Sequence, residues 1–343
     1  EDNVGFYGYT SLDALRRTSA EVRANVSLPR SAVLTLGAEV EELDQRSFSE
    51  SLSEYGPSNS RSRNQRSSRG YYSHLTAAEG PWSGNAGVRV EDNEQYGEFF
   101  TYQAGLSYAL TSTGTRFRGN VGKGMKEPTF FETTSTAFSV GNPELDPEQS
   151  SVWEVGLEQS LGASGGQLVL TWFNQTLEDL IQYTFSPPTS GGPNYYNVAE
   201  ARSRGLEASA SIPLGAMSLS GAYTYLDTEV LDAGFDEGEG ATFVEGESLI
   251  RRPTHQVTLG AGYRFQRGRV SGDLRRVGSR YDRDFGAWPA APVEMDGYTL
   301  LGLGAELTLL DADGDRPGLA VQLRADNLLD EDYQEIFGFR APG

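Results

Sequence analysis

Imidazole and thiol chemistry have almost no material in this chain, which carries two histidines, His74 and His255, and no cysteine. Thiolate nucleophiles, disulfide frameworks and thiolate zinc sites are excluded on that ground. Carboxylates are plentiful. Asp311, Asp313, Gly314 and Asp315 open like a calcium loop, but the glycine comes two positions early and Gln322 stands where the closing glutamate belongs. A solvated turn accounts for them. Asp232, Asp236, Glu237, Glu239, Glu245 and Glu247 crowd a glycine-containing stretch that reads as a solvated acidic loop. Gly119, Gly122 and Gly124 beside Lys123 lack the spacing and the Ser/Thr of a phosphate loop. Arg61, Arg63, Arg66 and Arg69 lie in a serine-rich stretch that reads as a polar loop able to meet an anionic lipid or ligand. His74, near Tyr71 and Tyr72 and read as close to an external strand end, is the sole candidate for a hydrolytic group. What remains is aromatic: Tyr281, Phe285 and Trp288 in one segment, Tyr195 and Tyr196 in another, flat surfaces that can stack on a ligand. These five are the candidate binding residues. No catalytic group, metal or cofactor is implied.

Composition narrows what could position them. The 343 residues include 41 Gly, 17 Tyr and 16 Phe but only 3 Met, a β-rich balance without a helical bias. The net charge of −20 argues against a nucleic-acid partner. No apolar stretch approaches the roughly 18 residues of a spanning helix, which is uninformative for a barrel because its two faces average out. The residues from Glu1 onward show no basic n-region or apolar h-region, so the expectation is that any secretion leader has been removed or lies upstream.

Period-two alternation is the dominant pattern. Thr18, Ala20, Val22, Ala24, Val26 and Leu28 face one way; Ser19, Glu21, Arg23, Asn25 and Ser27 face the other. The same sense returns in Trp153, Val155 and Leu157, in Leu206, Ala208, Ala210 and Ile212, in Val257, Leu259, Ala261, Tyr263 and Phe265, and in Leu319, Val321, Leu323 and Ala325. About fourteen such strands fit along the chain. The formal glycosylation sequons at Asn25 and Asn174 fall on strands and carry no such role.

Short turns near Pro29, 111–115, 162–166, 213–216 and 266–268 alternate with long polar connections at 49–69, 125–147, 184–195, 229–250 and 283–295; that at 309–317 is intermediate. Short turns on one rim and long loops on the other are the pattern of an outer-membrane barrel. A soluble sandwich also alternates. It does not explain charges recurring mid-strand on the wet face, such as Glu21, Arg23, Glu154, Glu158, Arg264 and Arg324, nor strands well above the usual five or six residues. Tyr71, Tyr72, Phe99, Phe100, Tyr102, Trp172, Tyr183, Tyr195 and Tyr196 read as interfacial girdles at strand ends. The expected fold is all-β, a transmembrane antiparallel up-and-down barrel.

Several blocks then carry a family resemblance, in order: Asn142 to Ser150, Phe173 with Asp179-Leu180-Ile181, Asn197 with Arg204-Gly205-Leu206-Glu207, Leu226-Asp227-Thr228, Arg252-Pro253, and Asn327 to Tyr333. The chain resembles the TonB-dependent outer-membrane receptors. Gly278 to Phe285, Pro289, Val293-Glu294-Met295, the strand from Gly84 to Asn93 and the end from Gly338 to Gly343 are most similar to vitamin B12 (cobalamin) receptors.

That resemblance implies an outer-membrane barrel of about 22 strands, of which residues 1–343 supply roughly the eighth to the twenty-first, without the plug, the early strands or the last strand. It also implies active import of a large scarce nutrient, cobalamin first and a ferric siderophore as the alternative, driven by TonB through a plug segment. The expected receptor is a monomer in outer-membrane lipid. The family's calcium sites lie on earlier loops and are not carried over. A passive porin and a rim enzyme are the readings from other classes. An isolated sheet of this size would leave two long edges unpaired in hydrocarbon, at several kcal/mol per group, unless its ends close on each other.

Overall fold

The alternating segments form strands because one face of each is apolar and the other polar. The computed structural model describes residues 8–53, 56–135, 139–162, 165–184, 187–234, 240–312, 314 and 317–341. In chain order the strands are β1 (Gly8–Leu28), β2 (Ala32–Ser53), β3 (Gly56–Glu79), β4 (Trp82–Asn93), β5 (Gly97–Leu110), β6 (Thr115–Lys126), β7 (Glu148–Leu161), β8 (Gly166–Tyr183) and β9 (Tyr195–Leu214). They continue as β10 (Met217–Asp232), β11 (His255–Phe265), β12 (Gly268–Val277), β13 (Arg280–Asp284), β14 (Ala291–Met295), β15 (Tyr298–Leu310), β16 (Leu319–Ala325), β17 (Gln334–Ile336) and β18 (Phe339–Arg340). Fourteen of them make one sheet in the order β1 to β12, then β15, then β16, each beside its neighbour in sequence. The β13–β14 and β17–β18 hairpins stand as separate ribbons. This is the all-β, up-and-down meander expected from the alternation.

The chain packs as two compact units, residues 1–105, 122–151 and 178–198 in one and residues 106–121, 152–177 and 199–343 in the other. In the second unit, β11 shows how the apolar face works. His255, Val257, Leu259, Ala261, Tyr263 and Phe265 share that face, and His255 packs on Tyr223 and Tyr225 at one end while Tyr263 stacks on Phe265 at the other. The steps between these aromatic ends, at about 3.4 Å each and a tilt of about 40°, span roughly 26 Å, the height of the apolar band of an outer-membrane barrel. Leu259 and Tyr263 are half exposed, as side chains that meet lipid must be in a protein viewed without its membrane.

The polar face carries paired charges mid-strand. In the second unit Asn120 donates to Glu154 at 2.6 Å, Arg118 to Thr171 at 2.6 Å, and Glu158 lies 3.6 Å from Arg116. In the first unit Tyr72 donates to Glu21, and Arg89 bridges Glu39 and Glu91.

Three expectations fail in the first unit. Residues 49–53 and 56–69 are not loop but the continuing β2–β3 pairing, from Ser68 with Glu41 up to Ser53 with Gly56, beyond the last β4 partner of β3 at Asn93. Both faces of this extension are made mainly of polar side chains, so the apolar alternation that marks a strand is lacking. Cross-strand pairs hold it instead: Arg63 on Asp44, and the Arg61 guanidinium 5.0 Å from the Phe48 ring centre. His74 is not near the external end. It sits opposite Thr35 and Gly87, close to the short Gly80–Pro81 turn, because the long extension at the other end displaces the count. Tyr71 and Tyr72 likewise lie inside β3 rather than at its end.

Candidate functional site

Each unit builds a cluster from its own long connections. In the first unit the connection 127–147 begins with a buried ion pair: Arg66 of β3 lies 2.8 Å from Glu127, donates to Pro128 O at 2.9 Å and to Tyr96 at 3.2 Å, and stacks over Phe130. Of the four arginines read as one basic loop, Arg61, Arg63 and Arg69 are exposed and Arg66 is buried. Burial holds the Glu127 carboxyl above the ordinary glutamate value, with Arg66 opposing it. A single helical turn, α1 (Phe130–Thr134), follows, closed by a capping box between Thr129 and Glu132.

Three of the blocks that carry the family resemblance meet in this unit: the Asn142 to Ser150 segment, Asp179-Leu180-Ile181 and Asn197. Asn142 donates to Tyr195 O at 2.9 Å, Asn197 bonds Asp146 and Asp179, and Glu148 accepts from Ile181 N at 2.9 Å. Tyr195 packs edge-on against Phe131 and Tyr183, with centroids 6.1 and 5.3 Å apart. It is therefore a loop-packing residue as well as a candidate contact. Tyr196 is half-buried beside it.

In the second unit the other three candidates come together on one hairpin. Tyr281 is on β13, Phe285 follows it, and Trp288 is at the tip; their exposures of 54%, 49% and 76% leave the rings open. The tip contains a cis Trp288-Pro289 bond and abuts Gly240, where an added Cβ would lie 3.0 Å from Pro289. Beneath the rings is a cluster that residue types alone did not reveal. Arg251 lies 2.9 Å from the fully buried carboxylate of Asp282, 5.7 Å from the Phe285 ring centre, and donates its N–H to Tyr281 O at 2.7 Å. Arg283 donates to Ala290 O, closing the hairpin. The only signal was the alternation Arg280, Asp282, Asp284 within the block resembling cobalamin receptors; the partners lie far away in sequence.

Of the carboxylates read as one acidic loop, Asp232, Glu245 and Glu247 are described and Asp236, Glu237 and Glu239 lie outside the described residues, as do Asp313 and Asp315. Among the described residues no three carboxylates or imidazoles converge on a metal position, and no helix is long and apolar enough to cross a membrane.

Residues 2–328 match the β-barrel of TonB dependent receptor-like proteins. The chain belongs to that family. Its place is accordingly the outer membrane of a Gram-negative bacterium. Solved receptors agree in fold. The ferric-catecholate import receptor Fiu of E. coli K12 superposes with a TM-score of 0.70 at 17% identity, over 94% of this chain and 51% of its own. For the copper transporter OprC the values are 0.73, 16%, 95% and 54%. For the ferripyoverdine receptor of Pseudomonas aeruginosa they are 0.72, 17%, 97% and 46%. The barrel thus spans about half the length of each receptor it matches, and at these identities the likeness is one of fold. The family blocks Phe173 and Gly205 also meet: a Cβ on Gly205 would lie 2.9 Å from the Phe173 ring and 2.2 Å from Tyr225 O.

Proposed function

We propose that this receptor barrel takes up a large, scarce nutrient at its long-loop rim and imports it in a TonB-dependent step, with cobalamin as the cargo. The observation that carries the reading is the β13–β14 hairpin. Tyr281, Phe285 and Trp288 present open rings, and the strand that bears Tyr281 is fixed from below by Arg251 and Asp282, so stacking costs little further ordering of the loop. The resemblance to cobalamin receptors runs through these same residues, and Tyr195 and Tyr196 are proposed as additional contacts. Force from TonB would reach the barrel through a plug segment, as the resemblance implies; the receptor is proposed to act as a monomer, and covalent chemistry has no part in this reading.

A ferric siderophore is the second reading. It is favoured by Arg251 beside the Phe285 ring, since a cation next to an aromatic surface suits an anionic ferric complex, and by the ferric cargoes of Fiu and the ferripyoverdine receptor. The test is retention of cyanocobalamin by cells expressing the full-length gene, with ferric siderophores as competitors and with or without a working TonB. Saturable TonB-dependent uptake that siderophores do not compete supports cobalamin. Retention of a ferric siderophore alone moves the cargo, and uptake indifferent to TonB leaves a passive pore.

A further inference from the structure

The buried carboxylate of Asp282 serves three segments at once. Its Oδ1 accepts from Arg251 Nε at 2.9 Å and from its own neighbour Arg283 N at 2.8 Å, and its Oδ2 accepts Phe337 N at 2.9 Å. Phe337 belongs to the turn of the β17–β18 hairpin. That hairpin is joined to the same region by further contacts: Arg280, itself buried, donates to Gln334 O and stacks over Tyr298, Tyr298 packs on Tyr333 with centroids 4.3 Å apart, and Tyr298 donates to Glu335 at 3.1 Å. A carboxylate removed from water needs hydrogen-bond donors on both oxygens, so the three donors that Asp282 accepts constrain one another's positions.

We propose that Asp282 is a positioning residue for ligand binding, locking the β17–β18 hairpin to the aromatic β13–β14 hairpin so that the two move as one body. The inference rests on the reading of Tyr281, Phe285 and Trp288 as the contact surface. Its consequence is that a segment bearing none of those three residues sets their placement. Cargo meets a rigid surface when β17–β18 is docked and a loose one when it is not.

The turn supplies a substitution that removes this bond together with the half-buried Phe337 ring, and Phe337→Ala, which keeps the N–H, is the control for the ring. Phe337 and Gly338 are the central residues between Ile336 and Phe339, with Gly338 at φ 83° and Phe337 outside the left-handed region. This is the pattern of a type II turn, in which proline is favoured at the first central position. Phe337→Pro therefore deletes the N–H that Asp282 accepts while fitting the turn. Asp282→Asn is the companion variant, since its amide nitrogen, itself a donor, must then face another donor in either orientation.

Because the chain has no cysteine, spin labels at Gly286→Cys and Phe339→Cys report the separation of the two hairpins in the full-length receptor in nanodiscs. The wild-type background is expected to give one narrow distance and both variants a broadened one. Affinity is read with cyanocobalamin or with ferric enterobactin, whichever the wild type retains, so a wrong cargo shows as a switch of probe and leaves the comparison of variants intact. Phe337→Pro is expected to weaken that affinity about tenfold, the scale of one charge-assisted hydrogen bond, with the midpoint of barrel unfolding unmoved. Unchanged distances would overturn the proposal, and so would broadened distances with unchanged affinity.

Discussion

Asn197 and Asp146 bond to each other in both directions: the Asn197 carboxamide oxygen accepts Asp146 N at 2.8 Å, and its nitrogen donates to Asp146 O at 2.8 Å. The same nitrogen donates to Asp179 O at 2.7 Å, where the backbone takes a φ of 56° that a non-glycine residue rarely adopts. One side chain thus ties the β6–β7 connection, the upper part of β8 and the start of β9. Asn197→Ala is expected to cost about 1–3 kcal/mol locally, because water reaches only some of the groups it releases. Proteolytic cleavage within residues 127–147 of the intact receptor should accelerate at least about tenfold. An unchanged rate would remove Asn197 from this role.

How far such features are visible beforehand depends on which surface a residue meets. Val257, Leu259, Ala261, Tyr263 and Phe265 alternate because lipid lies on one side and water on the other, and the sheet of fourteen strands follows from that asymmetry. Ser60 to Arg69 are polar on both sides, with only Arg66 buried, so nothing periodic betrays their pairing with β2. The same pairing leaves His74 near the Gly80–Pro81 turn, at the end of β3 opposite the extension. Tyr281, Phe285 and Trp288 were identifiable as a cluster on one segment. Their support was not, because Arg251, Asp282 and Phe337 meet only through tertiary folding.

Gly205 tests whether a family block acts through packing. An alanine Cβ there would lie 2.2 Å from Tyr225 O, a backbone atom, and 2.9 Å from the Phe173 ring. Since Leu206 pairs with Tyr225 in the β9–β10 register, the clash has to be relieved by moving the ladder. Gly205→Ala is expected to destabilise the barrel by about 1–3 kcal/mol, seen as a smaller folded fraction on refolding into detergent. Phe173→Ala in the same chain should restore part of the loss, because it vacates one of the two obstructions; no rescue would mean that the backbone contact alone decides.

Glu127 gives the loop cluster of the first unit a pH dependence. Burial raises its carboxyl above the ordinary glutamate value, so the folded state binds that proton more tightly than the unfolded state does. The stabilising contribution is complete below the ordinary value and is lost as pH climbs through the raised one. Residues 127–147 should therefore resist an acid-tolerant protease better at about pH 5 than at about pH 7, once rates are normalised to a denatured substrate. Arg66→Met leaves an ionised Glu127 without its counter-charge and is expected to cost about 2–4 kcal/mol near neutrality. That cost should shrink on acidification, and a cost independent of pH would show that Arg66 acts only through Pro128, Tyr96 and Phe130.

The aromatic candidates divide by what they touch, and their alanine variants should divide the same way. Trp288 is largely exposed and Phe285 is half exposed with Arg251 over one face, so Trp288→Ala and Phe285→Ala are expected to weaken cargo binding about two- to twelvefold each, from the roughly 0.5–1.5 kcal/mol of an aromatic contact. The amount of receptor in the outer membrane and its protease pattern should stay unchanged. Tyr195 is packed between Phe131 and Tyr183, so Tyr195→Ala should first expose residues 127–147 to protease and lower affinity only through that loosening. Equilibrium binding and limited proteolysis on the same three preparations separate the cases. A Tyr195→Ala receptor with lost affinity and an intact loop would make Tyr195 a direct contact, and a Trp288→Ala receptor with full affinity would move the cargo away from the β13–β14 hairpin.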